Sequence, residues 1–223
     1  MDGKIFMFDL QRFDTTKEMK VITQDSDGSL KVQNATVTLN AQNVVTAVET
    51  SGTATALETT TVDGKSVYAL DGDYVIDKST VTLKNSLYVA DGKSVSINLY
   101  GQEPFALNEW GRIDMSKPQT SYPAILTSDS TVNSSAFYND SLIVVQQGGS
   151  LTVRTNRNAT PANANISMRN SGSAISVIGD AESGKATNLT FDSKVCVIGK
   201  EYGIKDDAVS GTTINLSSVV SMV

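Results

Sequence analysis

The side chains in this chain best equipped for chemistry lie at residues 100–123, around the only tryptophan. Tyr100, Phe105, Trp110 and Tyr122 would make an aromatic platform for a sugar ring, with Glu103, Glu109 and Asp114 beside it. Cleaving a glycosidic bond takes two carboxylates about 5–10 Å apart. No spacing in the sequence establishes such a pair, and surface carboxylates are common. The expected role of the four aromatics is therefore a ligand or interface patch, packed on the side of the fold or on a neighbouring subunit. A second segment, DSDGS at 25–29, echoes a calcium loop but lacks its further ligands and distal glutamate, and reads as a hairpin turn. The chain has no histidine and one cysteine, Cys196. That removes the usual general base, the commonest zinc ligand, any Ser-His or Cys-His pair and any cysteine-cluster metal site. The expectation is no catalytic residue, no metal and no cofactor.

The elements that would hold these side chains are short strands. Residues fall into brief alternating runs rich in Val, Thr, Ser and Asn, broken by Gly and Asp-Gly pairs. The only stretches that suggest helix are residues 8–20 and 103–110. The 223 residues suffice for one large domain or two small ones. A net charge of -6 argues against nucleic acid, where a basic stripe supplies most of the affinity.

Apolar–polar–apolar triplets recur in the second half. One series runs Leu151-Thr152-Val153, Ile175-Ser176-Val177, Val195-Cys196-Val197, Val220-Ser221-Met222. A second, each member preceded by asparagine (Asn165, Asn188, Asn215), runs Ile166-Ser167-Met168, Leu189-Thr190-Phe191, Leu216-Ser217-Ser218. Leu142 to Val145 can open this second series one turn earlier. A period of about 20–27 residues with two strands in each is the size of one β-solenoid coil. On this reading inward side chains stack as a core, the asparagines stack at a corner, and Cys196 faces outward beside Thr152, Ser176 and Ser221. Upstream, Val81-Thr82-Leu83, Leu87-Tyr88-Val89 and Val95-Ser96-Ile97 look like three faces of an earlier coil. The pentapeptide DGKSV, at 63–67 and again at 91–95, suggests a repeated turn-strand unit.

The predicted fold is therefore all-β: a right-handed parallel β-helix (β-solenoid) in the C-terminal half, an N-terminal arm and a small β-subdomain. The expected divisions are an arm at 1–24, a β-rich subdomain or cap at 25–75, and a solenoid at 76–223 with an excursion at 100–123. In the arm, KIFMFDLQRFD is interrupted by Asp9 and Arg12, too soon for a secretory signal and far short of the roughly 20 apolar residues of a spanning helix. Phe6, Phe8, Leu10 and Phe13 are instead expected to form an assembly arm. Docking them on a neighbouring subunit would contribute about 6–10 kcal/mol before ordering costs. At the other end NLSSVVSMV presents Leu216, Val219, Val220 and Met222 without a charge, the expected open end of the solenoid.

The opening MFDLQRFD resembles the Leu-Gln-x-Phe leader of phage and prophage structural proteins and some large bacterial surface proteins, and the strand pattern resembles β-helical tailspikes, adhesins and surface filaments. The resemblance implies a virion or cell-surface structural component and carries over no catalytic residue. The expected function is a non-catalytic structural subunit that self-assembles into an extracellular filament, surface layer or virion component. Its expected partners are other copies of itself, without nucleic acid or membrane insertion. The alternative is a tailspike-like module that binds or cleaves surface polysaccharide.

Overall fold

The computed structural model describes residues 14–41, 43–101, 108–110, 112, 114–116, 123–155, 164–179, 184–192, 195–209, 211–216 and 221–222. In chain order the strands are β1 (Thr15–Gln24), β2 (Leu30–Leu39), β3 (Val45–Ala56), β4 (Thr60–Val62), β5 (Lys65–Ala69), β6 (Gly72–Asp77), β7 (Thr80–Leu83), β8 (Ser86–Val89) and β9 (Ser94–Tyr100). There follow β10 (Ala124–Ser128), β11 (Ser141–Gln146), β12 (Ser150–Thr155), β13 (Ala164–Ser167), β14 (Ser173–Ile178), β15 (Thr187–Asp192), β16 (Cys196–Ile198), β17 (Tyr202–Asp207), β18 (Thr212–Leu216) and β19 (Ser221–Met222).

From β6 onward, consecutive strands visit three sheets in rotation. The first sheet has the order β18-β15-β12-β9-β6-β1-β2-β3, the second β19-β16-β13-β10-β7, and the third β17-β14-β11-β8-β5-β4. Every pairing made from β6 to β19 is parallel. The pleat supplies the reason these residues form these sheets. Alternate side chains point to opposite faces, so a Leu-Thr-Val triplet sends two apolar groups one way and a polar one the other. Strand β12 shows it: Leu151 and Val153 are buried while Ser150, Thr152 and Arg154 are half-buried.

The inward rows of all three sheets meet in one core. Tyr74, Ile97, Val153 and Phe191 come from the first sheet, Val81, Leu126, Ile166 and Val197 from the second, and Leu87, Ile143 and Ile175 from the third. Within each row the side chains stack strand upon strand: Tyr74 lies opposite Ile97, Ile97 opposite Val153, and Val153 opposite Phe191.

At the N-terminal end the first sheet outgrows the others. Strand β1 lies parallel to β6, and β2 and β3 extend the sheet antiparallel. Strand β2 serves two cores because its faces are buried at different points. Leu30 packs into the main core with Ile22, whereas Ala35, Val37 and Leu39, of opposite parity, join Met19, Val21, Val45 and Val75 in a second core on the other side of the sheet. The hairpin also closes the edge of the second sheet. The Gln24 amide accepts from Thr82 N–H at 2.9 Å and donates to the Thr82 carbonyl at 2.6 Å, taking the place of a neighbouring strand along β7. The DSDGS segment is the turn between β1 and β2, where Asp27 accepts from Ser29 N–H and hydroxyl; those bonds hold its carboxyl below the ordinary value.

Several expectations are corrected by these pairings. Residues 15–20 are strand and not helix, because β1 pairs along its whole length with β2 and also meets β6 at Lys20 and Val21. A division at 75/76 would cut through β6, and Leu30-Lys31-Val32 and Val37-Thr38-Leu39 belong to one strand. The rotation takes three strands, so the expected two-strand series mixes sheets: Leu151-Thr152-Val153 lies in the first, Ile175-Ser176-Val177 in the third and Cys196 in the second. The asparagines do not stack. Asn165 stands opposite Ile125 and Cys196, Asn188 opposite Ser150 and Thr213, and Asn215 opposite Thr190. The triplets at 81–83, 87–89 and 95–97 do occupy three different sheets.

Cys196 is buried, not outward in solvent. Its neighbours Val195 and Val197 enter the main core and it does not, so the alternation holds. The outer side of the second sheet is covered here, since the adjacent Asn165 is buried as well, and that burial pushes the thiol pKa up.

Candidate functional site

The surface that departs most from the rest of the fold is the face at β17 and β18. From β9 onward, two inward rows of the first sheet are buried until their last described member. Val95, Leu151 and Leu189 are buried, and Ile214, opposite Leu189, is 41% exposed. Ile97, Val153 and Phe191 are buried, and Leu216, opposite Phe191, is 51% exposed. Tyr202 and Val209 are exposed on the same final circuit. Four of the six large exposed apolar side chains among the described residues therefore gather here. One edge of β18 pairs with β15, and no described strand pairs with the other.

The third sheet ends differently. Asp206 of β17 stands opposite Val177, in the row that Val89 and Val145 occupy in earlier circuits. Lys205 and Asp207 pair at 2.7 Å beside it, and the bond to Asp207 raises the Lys205 pKa. Charges on an edge strand oppose pairing with another chain. The third sheet thus brings charges to this end from residues that precede NLSSVVSMV. In the second sheet, Ser221 and Met222 pair with Cys196 and Val197. One edge of this end is apolar and another charged, which would orient whatever meets it.

Of the expected open-end residues, Leu216 is exposed there and Met222 lies in β19; Val219 and Val220 fall outside the described residues. So do Phe6, Phe8, Leu10 and Phe13, and from the aromatic patch Phe105 and Tyr122. Tyr100 and Trp110 are not brought into a shared platform. The Tyr100 hydroxyl donates to Thr46 O at 2.7 Å, Lys78 lies over its ring at 4.8 Å, and the ring packs on the second core. Burial, with Asp77 nearby, raises its pKa. Trp110 sits in an exposed turn built on the Asn108 side chain, which accepts from Trp110 N–H and Arg112 N–H. Among the described residues the one aromatic pair is Tyr88 with Tyr138, edge-on at 5.9 Å, where the turn before β11 covers the outside of the third sheet.

Sequence reasoning named Leu216 but missed Tyr202, Val209 and Ile214. The alternation Thr213-Ile214-Asn215-Leu216 was a usable signal for Ile214. That Asp206 would stand in an apolar row was not, because the row is set by β14, which is distant in sequence. Among the described residues no group of three acidic, histidine or cysteine side chains is placed to hold a metal ion, and no helix is long and apolar enough to cross a membrane. No protein-family model, no curated protein and no solved structure matches this chain.

Proposed function

We propose that this chain is a structural subunit without catalytic function, built as a parallel β-solenoid, that assembles with copies of itself into an extracellular filament, surface layer or virion component. The three-sheet rotation and the single core it encloses support the solenoid reading. The assembly reading rests on one observation: Ile214 and Leu216 are exposed at positions whose counterparts in β9, β12 and β15 are buried. A strand edge that no described strand pairs with, flanked by apolar side chains, offers both main-chain hydrogen bonds and buried area to a partner.

Sedimentation velocity over a range of concentrations tests this. The wild-type chain associates as concentration rises, and the double variant Ile214→Asp, Leu216→Asp stays monomeric with an unchanged circular dichroism spectrum. A wild-type chain that remains monomeric at every concentration, or a variant that assembles equally well, overturns the reading. The arm at residues 1–13 is proposed as the second connector. Its removal, upstream of β1, is expected to weaken assembly without unfolding the chain.

A further inference from the structure

The corner that carries the chain from the second sheet to the third is built at 129–140 and again one circuit later at 168–172. Between the two lies a cleft of about 390 Å³, lined among others by Ser130, Asn133, Ser134, Arg169, Asn170 and Ser171. The corners are tied to each other. Asn170 Nδ2 donates to the Val132 carbonyl, the Ser134 and Ser171 hydroxyls lie 2.8 Å apart, and Arg169 N–H donates to Ser128 Oγ at 2.7 Å. Gly172 allows this approach: its φ is +117°, and a Cβ there would lie 2.1 Å from the Asp140 carbonyl oxygen.

These bonds occupy donors and acceptors of the cleft alike, and they leave the Arg169 side chain out. Asn133 Oδ1 is taken by Ser135 N–H at 3.0 Å, and the Thr131 hydroxyl is turned to Asp129 at 2.7 Å. Among the described residues no partner engages the Arg169 guanidinium, Asn133 Nδ2 or the Ser130 hydroxyl. The carboxylate on the same corner, Asp129, has one oxygen occupied by Thr131 N–H and hydroxyl, with the Lys84 charge beside it. An open cleft that presents one exposed, unpaired planar cation is complementary to an oxyanion, since a guanidinium fork meets a carboxylate with two parallel bonds. Its volume lies at the low end of the range for small-ligand sites, about 300–1,000 Å³, which suits one or two sugar rings.

We propose that this cleft binds an acidic sugar. The carboxylate lies on Arg169 and Asn133 Nδ2, and the ring hydroxyls meet Ser130 and the Ser134–Ser171 pair. The proposal does not depend on the assembly reading, and it places sugar recognition away from Tyr100 and Trp110.

Nuclear magnetic resonance titration of the full ¹⁵N-labelled chain with glucuronate, glucose, acetate and sulfate decides it. Glucuronate is expected to shift the amides of Ser130, Asn133 and Arg169 to Ser171 with saturation, and the other three compounds to bind at least about tenfold more weakly. Arg169→Gln is expected to weaken glucuronate about tenfold or more, leaving amide positions far from the cleft unchanged. Absence of a saturating glucuronate response overturns the proposal. Equal binding of glucose removes the role of the charge, and equal binding of acetate or sulfate removes recognition of the ring. Undiminished affinity in Arg169→Gln places the ligand elsewhere.

Discussion

Replacing Gln24 tests how the β1–β2 hairpin closes the fold. The side chain makes three hydrogen bonds at once: it accepts from Thr82 N–H at 2.9 Å, donates to Thr82 O at 2.6 Å, and donates to Gly28 O at 3.0 Å. Each bond contributes about 0.5–1.5 kcal/mol net, and the site is only partly buried, so water can reach some of the groups left behind. Gln24→Ala should therefore lose about 2–3 kcal/mol. For a chain of this size that lowers the melting temperature by about 4–12 °C. Gln24→Met keeps the length and apolar stem but removes the amide, so it separates hydrogen bonding from packing, and it should lose nearly as much. The assay is urea unfolding of the three proteins, with hydrogen exchange at the Thr82 amide. Exchange at Thr82 should quicken in both variants while the amides of β12 stay protected. A loss under about 0.5 kcal/mol with Thr82 still protected would refute the view that this amide substitutes for a strand.

Three further outcomes follow from charge and burial. Burial alone would raise the Asp73 carboxyl, but hydrogen bonds from Lys17 and Ser96 and the Lys17 charge outweigh it and hold the pKa below the ordinary value. A depressed folded pKa stabilises above the unfolded pKa, so Asp73→Asn should be less stable than wild type at neutral pH, and the gap should close as pH falls below about 4 in acid titrations of urea midpoints. Asp77 has the opposite sign: burial, only partly offset by Lys78, raises its pKa, and its Oδ1 is buried without a partner among the described residues. Its ionised form is therefore unfavourable in the fold, so Asp77→Asn should raise the melting temperature at pH 7, with the gain vanishing on acidification; a loss at pH 7 would contradict this. The buried Cys196 thiol should react with a neutral thiol reagent only as fast as the chain opens, whereas labelling at the rate of a free thiol in the native state would show an open outer face.

Much of the architecture could be read from residue order because its cause is local. A strand shows one face by strict alternation, so Leu151-Thr152-Val153 or Val81-Thr82-Leu83 declares a strand and its inward side wherever it lies. The absence of histidine and the single cysteine narrowed the chemistry in the same direct way. The cleft at Arg169 was not legible, since it is made by two corners that lie far apart in sequence and meet only when β10 and β13 pair.

What alternation cannot encode is which strand lies beside which. Connections between circuits vary in length, so Val95 stands opposite Leu151, Leu151 opposite Leu189, and Leu189 opposite Ile214, at unequal spacings. Even spacing therefore joins triplets from different sheets. The DGKSV pentapeptide shows the same limit. At 63–67 Asp63 and Gly64 both take positive φ and close the antiparallel β4–β5 hairpin, and Val67 packs on the outside of the third sheet. At 91–95 only Gly92 does so; the segment turns a corner between sheets and sends Val95 into the main core. Five identical residues supply the same tendency to turn and then extend. The partner strands differ, one antiparallel neighbour and one parallel circuit, and the backbone follows whichever hydrogen bonds and apolar surface those partners offer.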